Sequence, residues 1–279
     1  MKTVNSISGG KTSAYIAANY PADYNVFSLV RTSDKNCMFP DKKIRQLVSD
    51  KLGGVEFIGT LEMDTIIYTM LDLEQYIGSK IDWVSGDTFD EVIFKRKYLP
   101  NVTQRFCTSE MKLKPLFDWW QKEINEVIEM RIGFRANEGN RAKNMILKTN
   151  ENGNSEFKTI IGKSKKGNRN KWGLIEWQKP TFPLIDNPIY KDNVEMYWKD
   201  KPVRFAYMNN CVGCFHRNPV LLKHLSLTNE NKFQWFVDAE KDTSTFKKEM
   251  NYQQIKDSLK QTDLFDEDFN DCDSGYCGL

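Results

Sequence analysis

The sequence feature that most constrains the fold is a glycine loop at residues 6–13, Ser-Ile-Ser-Gly-Gly-Lys-Thr-Ser. It lies between a short β-prone segment and the apolar residues 14–18, an order that predicts strand, loop and helix. The two glycines allow a sharp turn that brings backbone N–H groups close to an anion, and the helix N-terminus adds its positive dipole end. The predicted phosphate- or sulfate-binding residues are Ser8, Gly9, Gly10, Lys11, Thr12 and Ser13.

This loop has two other interpretations. A Walker A loop that ends at Gly10-Lys11-Thr12 requires glycine at the position of Asn5, so this interpretation is rejected. An ordinary strand-to-helix turn that binds no ligand stays open on the loop alone.

Length and composition describe a globular chain. Its 279 residues suffice for one large α/β domain with appendages, and 40% hydrophobic with 28% charged residues is typical of soluble proteins. Neither a long apolar run nor room for a signal peptide before the glycine loop is present. A cytoplasmic location without a membrane span is therefore expected.

Apolar runs alternate with helical patterns after the glycine loop. This rhythm predicts a doubly wound parallel sheet, in which ligands bind beyond the carboxyl ends of the strands. Predicted strands are residues 25–30, 55–58, 81–84 (strand or loop) and 129–134, and predicted helices are 41–52, 63–76 and 191–198. A further helix is predicted after Ser109 as N-cap.

Several patterns resemble one superfamily. S-G-G-x-x-S at residues 8–13 resembles the PP-loop of the adenine-nucleotide α-hydrolase superfamily, which includes ATP pyrophosphatases and the reductases of adenylyl sulfate (APS) and its 3′-phosphate (PAPS). Residues 105–116 resemble the C-C-x-x-R-K-x-x-P-L segment of these reductases, with Cys107 and Lys112 matching but Thr108 and Met111 departing from it. Residues 133–141 resemble the G-x-R-x-x-E-x-x-R pattern of the family, and residues 183–194 resemble its P-L-I-D segment followed by a D-x-V pair.

The resemblance implies a set of charged residues around the nucleotide. Arginine forks suit bidentate binding of oxyanions. The residues expected to complete the anion pocket are Arg105, Lys112, Arg135 and Arg141.

The six cysteines are more typical of metal ligands or reactive thiols than of a disulfide framework in a cytoplasmic chain. Cys211 and Cys214 form a C-x-x-C turn that directs two thiolates the same way. With Cys107, the resemblance implies three ligands of a 4Fe–4S cluster. The fourth ligand is either Cys272 or Cys277, or one iron is left for a sulfide, substrate or water, and the absence of any metal also stays open. The alternative is zinc, bound by Cys211, Cys214, Cys272 and Cys277, with His216 in reserve.

The chain ends Cys277-Gly278-Leu279, which resembles the E-C-G-L-H terminus that carries the reductase nucleophile. The resemblance makes Cys277 a candidate nucleophile and Lys112 a second catalytic residue. Residues 141–172 hold nine Lys and Arg against two Glu, which predicts a solvated segment, a lid over an anionic ligand or a nucleic-acid contact.

These observations define three regions. They are an adenine-nucleotide-binding α/β domain (1–141), a basic flexible insertion (142–179) and a mostly helical C-terminal region with a cysteine metal site (180–279). The first functional hypothesis is a PAPS or APS reductase that uses a thiol donor such as thioredoxin. The alternatives are an ATP pyrophosphatase that uses magnesium and adenylates DNA or tRNA for sulfur insertion, and a non-catalytic nucleotide-binding module. Homo-oligomerisation is left open.

Overall fold

A computed structural model describes residues 1–164, 169–240 and 244–258. Its centre is a six-stranded sheet of order β5-β2-β1-β6-β8-β7, in which every neighbouring pair is parallel except β8 and β7. The predicted α/β fold with a mostly parallel sheet is therefore confirmed. Its strands are β1 (Thr3–Ile7), β2 (Tyr24–Ser28), β5 (Ile81–Val84), β6 (Ile128–Arg131), β7 (Ser155–Lys163) and β8 (Asn170–Thr181), and a separate antiparallel pair comprises β3 (Arg31–Thr32) and β4 (Gly59–Thr60).

The strand order reverses beside β1. From β1 the chain proceeds outward through β2 to β5, and it then returns to the other side of β1 as β6. This reversal is a topological switch point, where open α/β sheets leave a crevice at the carboxyl ends of the two central strands. The glycine loop follows β1 directly at this edge.

Helices cover both faces of the sheet. Successive buried side chains of a strand point to opposite faces, so each face needs a cover. Ile7 and Phe27 pack with α1, α3 and α9 on one face, while Val4 and Val26 pack with α6 and α7 on the other. The helices are α1 (Lys11–Asn19), α2 (Lys42–Lys51), α3 (Thr65–Ile77), α4 (Phe89–Arg96), α5 (Phe106–Thr108), α6 (Lys114–Glu123), α7 (Gly139–Ile146), α8 (Pro183–Asp186), α9 (Lys191–Trp198), α10 (Pro219–Thr228), α11 (Glu230–Ala239) and α12 (Tyr252–Asp257).

Two local predictions differ from the structure. Residues 55–58 form a loop, in which the Phe57 N–H donates to Ser49 Oγ at 2.9 Å, and the strand here is the shorter β4. Ser109 is not an N-cap, because α5 already begins at Phe106 and leads through one π-helical turn, Ser109–Leu113, into α6.

The C-terminal region is mostly helical in its described part, as predicted. Helices α10, α11 and α12 share a third core with α4 and with residues 211–214, here called the cysteine loop. Phe236 and Tyr252 belong to this core. None of the helices in residues 1–164, 169–240 and 244–258 has the length and apolarity needed to cross a membrane.

The basic segment predicted as an insertion contains a β-hairpin formed by β7 and β8. The end of β8 joins the central sheet, with Gln178 opposite Ile128 at the start of β6. The preceding residues of β8 therefore extend beyond the amino-terminal edge of β6, away from the carboxyl edge that holds the glycine loop. This direction does not suit the predicted lid over the loop.

Candidate functional site

The glycine loop is held in shape by two of its serines, Ser8 and Ser13. Ser13 Oγ accepts a hydrogen bond from the Ser8 N–H at 3.1 Å, lies 3.2 Å from Ser8 Oγ and donates to the Gly10 carbonyl at 3.0 Å. Ser13 is buried, whereas Ser8 is exposed. The loop is thus closed on itself, with the first turn of α1 directly behind it.

Close approach explains both glycines. Gly9 has a φ of +83°, and a Cβ there would lie 2.7 Å from Ile66 Cγ2. Gly10 has an ordinary extended φ of −93°, but a Cβ there would lie 2.5 Å from Asn209 Nδ2. Gly9 is therefore required by backbone conformation, whereas a larger residue at Gly10 would displace the Asn209 amide.

An arginine lies opposite the loop at the switch point. Arg135, only 8% exposed, follows β6, and its N–H and Nε donate to Glu138 Oε2 at 2.8 and 3.1 Å. Arg141 pairs with the other oxygen of Glu138 and lies over the Phe134 ring at 4.2 Å. The glutamate of the G-x-R-x-x-E-x-x-R pattern thus orients both arginines.

A cleft of about 260 Å³ joins the loop and Arg135. Lys11 lines this cleft and is held by two contacts. Its carbonyl accepts a hydrogen bond from Trp198 Nε1–H at 2.9 Å, and its Nζ pairs with Glu195. Such a volume approaches that of small-ligand sites. The residues that line the cleft are Gly10, Lys11, Thr12, Arg135, Lys191, Val194, Glu195, Phe205, Ala206, Tyr207, Met208 and Asn209.

A second cavity, of about 30 Å³, brings together three of the predicted cysteines. Cys107, Cys211 and Cys214 line it despite their separation in sequence, and its other walls are mostly apolar. Arg105 and Lys112 also line this cavity, not the glycine-loop cleft. The predicted anion pocket is therefore divided between two neighbouring sites.

Hydrogen bonds to backbone carbonyls hold the cysteine cavity at the carboxyl edge of the sheet. Ser28, the last residue of β2, donates from Oγ to the carbonyls of Met111 and Lys112 at 3.2 and 3.1 Å. The cysteine loop is fastened by the Val212 N–H, which donates to the Leu61 carbonyl at 2.8 Å, and by Tyr252, whose buried hydroxyl donates to the Gly213 carbonyl at 2.8 Å.

Glu62 is a buried acidic residue that no sequence pattern singles out. It is 1% exposed, forms a β-bridge with Cys211 and accepts a hydrogen bond at Oε1 from Lys112 Nζ at 3.1 Å. Its second oxygen, Oε2, has no hydrogen-bond partner in the described part of the chain. A lone glutamate outside any pattern gives no sequence signal, because its importance arises from burial beside Lys112.

This pair leads to a stability prediction. Lys112→Met should lower the free energy of unfolding by about 3 kcal/mol, because it leaves the Glu62 carboxylate buried and unpaired. Urea unfolding followed by circular dichroism measures the change. Lys114→Met is the matched control: it breaks an exposed pair with Asp118 and should cost less than about 1 kcal/mol. Equal losses in both variants would contradict the prediction, and Glu62→Gln added to Lys112→Met should restore part of the loss.

Burial shifts the pKa values of His216 and Cys37. Burial, with Arg105 and Lys247 nearby, lowers the pKa of His216 to about 4, so its imidazole is neutral at pH 7 beside the cysteine cavity. Burial and Asp34 raise the pKa of Cys37 to about 12, which keeps it an unreactive thiol. Cys37 lies away from the cysteine cavity, in a polar pocket with Lys232.

The metal prediction has no support in the part of the chain that the structure describes. Within residues 1–164, 169–240 and 244–258, no three His, Cys, Asp or Glu side chains form a group that could hold a metal ion. Three thiols line the shared cavity of about 30 Å³. The proposed ligand Cys272, and Cys277 with Gly278 and Leu279, lie outside the described residues. A metal centre therefore stays a prediction.

The two cavities are neighbours along the chain. Asn209 packs against Gly10 in the cleft, and Cys211 lines the cysteine cavity two residues later. The segment between α9 and α10 thus connects the glycine-loop cleft to the cysteine cavity. No family model, curated protein or solved structure matches this chain.

Proposed function

We propose that the protein is a PAPS reductase-like enzyme that binds an adenine nucleotide in the glycine-loop cleft and performs sulfur chemistry beside it. The observation that carries the proposal is the contact between Gly10 and Asn209, two residues before Cys211. A nucleotide whose phosphates lie on the glycine loop would have its reacting group close to the cysteine cavity.

The cleft has the chemistry for anionic groups. Backbone N–H groups at the start of α1 and the Arg135 guanidinium face one space, and both favour phosphate or sulfate. Lys11 also lines the cleft, where its ammonium is paired with Glu195. The cavity behind Asn209 adds Lys112, held by Glu62, which would stabilise negative charge on a transferred sulfur group.

The proposed reaction begins when the Cys277 thiolate attacks the sulfur of APS or PAPS. An S–S bond forms, the S–O bond to the phosphate breaks, and its electron pair leaves with AMP or its 3′-phosphate. A dithiol reductant such as thioredoxin then attacks the cysteine sulfur and releases sulfite. This attack leaves a mixed disulfide between the reductant and Cys277. The second thiol of the reductant then breaks the mixed disulfide, so the reductant becomes a disulfide, Cys277 returns to a thiol, and the sulfonate sulfur has gained two electrons as sulfite. The 4Fe–4S cluster that is part of this proposal would be held by Cys107, Cys211, Cys214 and Cys272 and would supply a redox centre near the substrate.

A second candidate is an ATP pyrophosphatase that activates a nucleic acid for sulfur insertion, with magnesium accompanying ATP. The exposed basic hairpin favours it, because an enzyme of this kind must bind a polyanionic acceptor. The two candidates break different bonds: only the second releases pyrophosphate.

The deciding experiment incubates the protein with PAPS or APS and, separately, with ATP, magnesium and DNA or tRNA. We expect a sulfonate adduct on Cys277 by mass spectrometry, absent from Cys277→Ser, and no pyrophosphate. Pyrophosphate release stimulated by nucleic acid, without an adduct, would establish the second candidate. Nucleotide binding with neither product would leave a non-catalytic nucleotide-binding module.

A further inference from the structure

The hairpin of β7 and β8 projects from the protein with an unusual combination of side chains on its surface. Cross-strand pairing places Ile160 opposite Trp172 and Lys158 opposite Leu174, and paired residues share a face of the hairpin. Trp172 is 57% exposed and Leu174 61% exposed. A large aromatic side chain thus lies in the open beside a lysine.

Positive charge surrounds this tryptophan. Beyond a register shift between Ile160 and Gly162, Lys163 pairs with Asn170. Asn170 is two residues before Trp172 on β8, so Lys163 lies on the Trp172 face, on the side opposite Lys158. Arg169 and Lys171 are exposed nearby. Residues 157–164 and 169–175 contain no acidic side chain to neutralise these charges. The lysine and arginine charges of these residues therefore face solvent.

The acidic residues nearest this surface are engaged at its base. Glu176 accepts hydrogen bonds from Asn152 and Asn154 at 3.2 and 2.9 Å, and Glu156 accepts one from Asn150 at 3.4 Å. The base itself is anchored in the core, where the Phe157 ring stacks on Phe117 with centroids 4.4 Å apart. The outer half of the hairpin is thus a supported and exposed basic surface.

We propose that the outer face of this hairpin, formed by Lys158, Ile160, Lys163, Trp172 and Leu174, binds single-stranded nucleic acid. Lysines contact backbone phosphates, and an exposed tryptophan offers a platform on which a base stacks regardless of sequence. The inference goes beyond the proposed reductase function and does not rest on it. It would supply the acceptor for the second candidate.

The hairpin forms a docking surface separate from the nucleotide cleft. Asn170 lies eight residues before Gln178, the β8 residue at the start of β6, so the hairpin extends about 25 Å beyond the amino-terminal edge of that strand. The cleft is at the opposite, carboxyl edge. A nucleic acid bound on the hairpin must therefore be long or folded to reach the cleft as well.

The test is fluorescence anisotropy with labelled single-stranded DNA and RNA of about 16 nucleotides, a length within reach of one binding domain. We expect Trp172→Ala to weaken binding at least about fivefold because the base then has no ring on which to stack. Lys158→Glu/Lys163→Glu should weaken binding further and reduce the salt dependence, by about 0.7 in the slope of log K against log salt for each phosphate that is no longer neutralised.

The control Lys42→Glu/Lys43→Glu makes the same change of charge at exposed positions on α2 and should bind normally. Arg135→Ala, in the cleft, should also bind the oligonucleotide normally, which separates this surface from nucleotide binding. Equal weakening in the hairpin and α2 variants, or no binding by the unmodified protein, would overturn the proposal. So would a concentration-dependent dimer that Trp172→Ala abolishes, because the face would then be an interface between two copies.

Discussion

Gly10→Val should abolish adenine-nucleotide binding while leaving the protein folded. The backbone at Gly10 has an extended conformation that valine adopts readily, so the fold tolerates the substitution. The new side chain would meet Asn209 Nδ2, at 2.5 Å from its Cβ, and would fill the space in which the loop N–H groups meet phosphate. Loss of two charge-assisted hydrogen bonds, at about 1.5 kcal/mol each, corresponds to at least about 100-fold weaker binding.

Isothermal calorimetry with ATP and magnesium, and with PAPS, measures this loss. Gly54→Ala is the matched control, because its methyl meets no atom within 4 Å but its φ of +91° strains the residue. We expect this control to lose about 1 kcal/mol of stability and no affinity. A folded Gly10→Val protein with unchanged affinity would remove the glycine loop from the nucleotide site.

If the proposed 4Fe–4S assignment is right, Cys107→Ser and Cys211→Ser should each lower the iron content of protein purified without oxygen. Both side chains line one cavity, so each thiolate would ligate the same cluster, and a serine hydroxyl is a poor substitute for a thiolate. Iron, acid-labile sulfide and zinc are counted per chain, and the visible spectrum is recorded before exposure to air. Loss of iron should coincide with loss of the visible absorption.

Cys37→Ser is the control for this series, since Cys37 lies in another pocket, and it should retain the metal. If Cys107→Ser keeps its full metal content while Cys272→Ser loses it, the centre is the zinc site formed by the two C-terminal cysteine pairs. An unmodified protein without any metal would show that the cavity thiols serve another purpose.

Local chemistry made much of the fold predictable. The glycine loop follows from two adjacent glycines between a strand and a helix, since the positive φ of Gly9 strains any larger residue and Asn209 packs closely against Gly10. The parallel sheet follows from short apolar runs alternating with helical patterns. Helices cover both faces of a parallel sheet, so its strands are apolar on both sides. The segment at residues 55–58 is the exception: an apolar run does not reveal whether a neighbouring strand will pair with it.

The candidate site could be predicted only in pieces. The resemblance singled out Cys107, Cys211 and Cys214, and the structure brings them to one cavity. It also assigned Arg105 and Lys112 to the nucleotide pocket, whereas they line the cysteine cavity. Neither Glu62 nor Asn209 belongs to a recognisable pattern, because each gains its role from a neighbour distant in sequence.

By itself, the sequence determined the elements whose causes are local: the loop, the helix after it, the buried strands and the C-x-x-C turn. Only the tertiary structure decided that Glu62 is buried against Lys112, that Asn209 covers Gly10 and that the basic hairpin points away from the cleft. Strand order and register decide these relations. They depend on which buried faces pack together over the whole chain, a property that no short pattern contains.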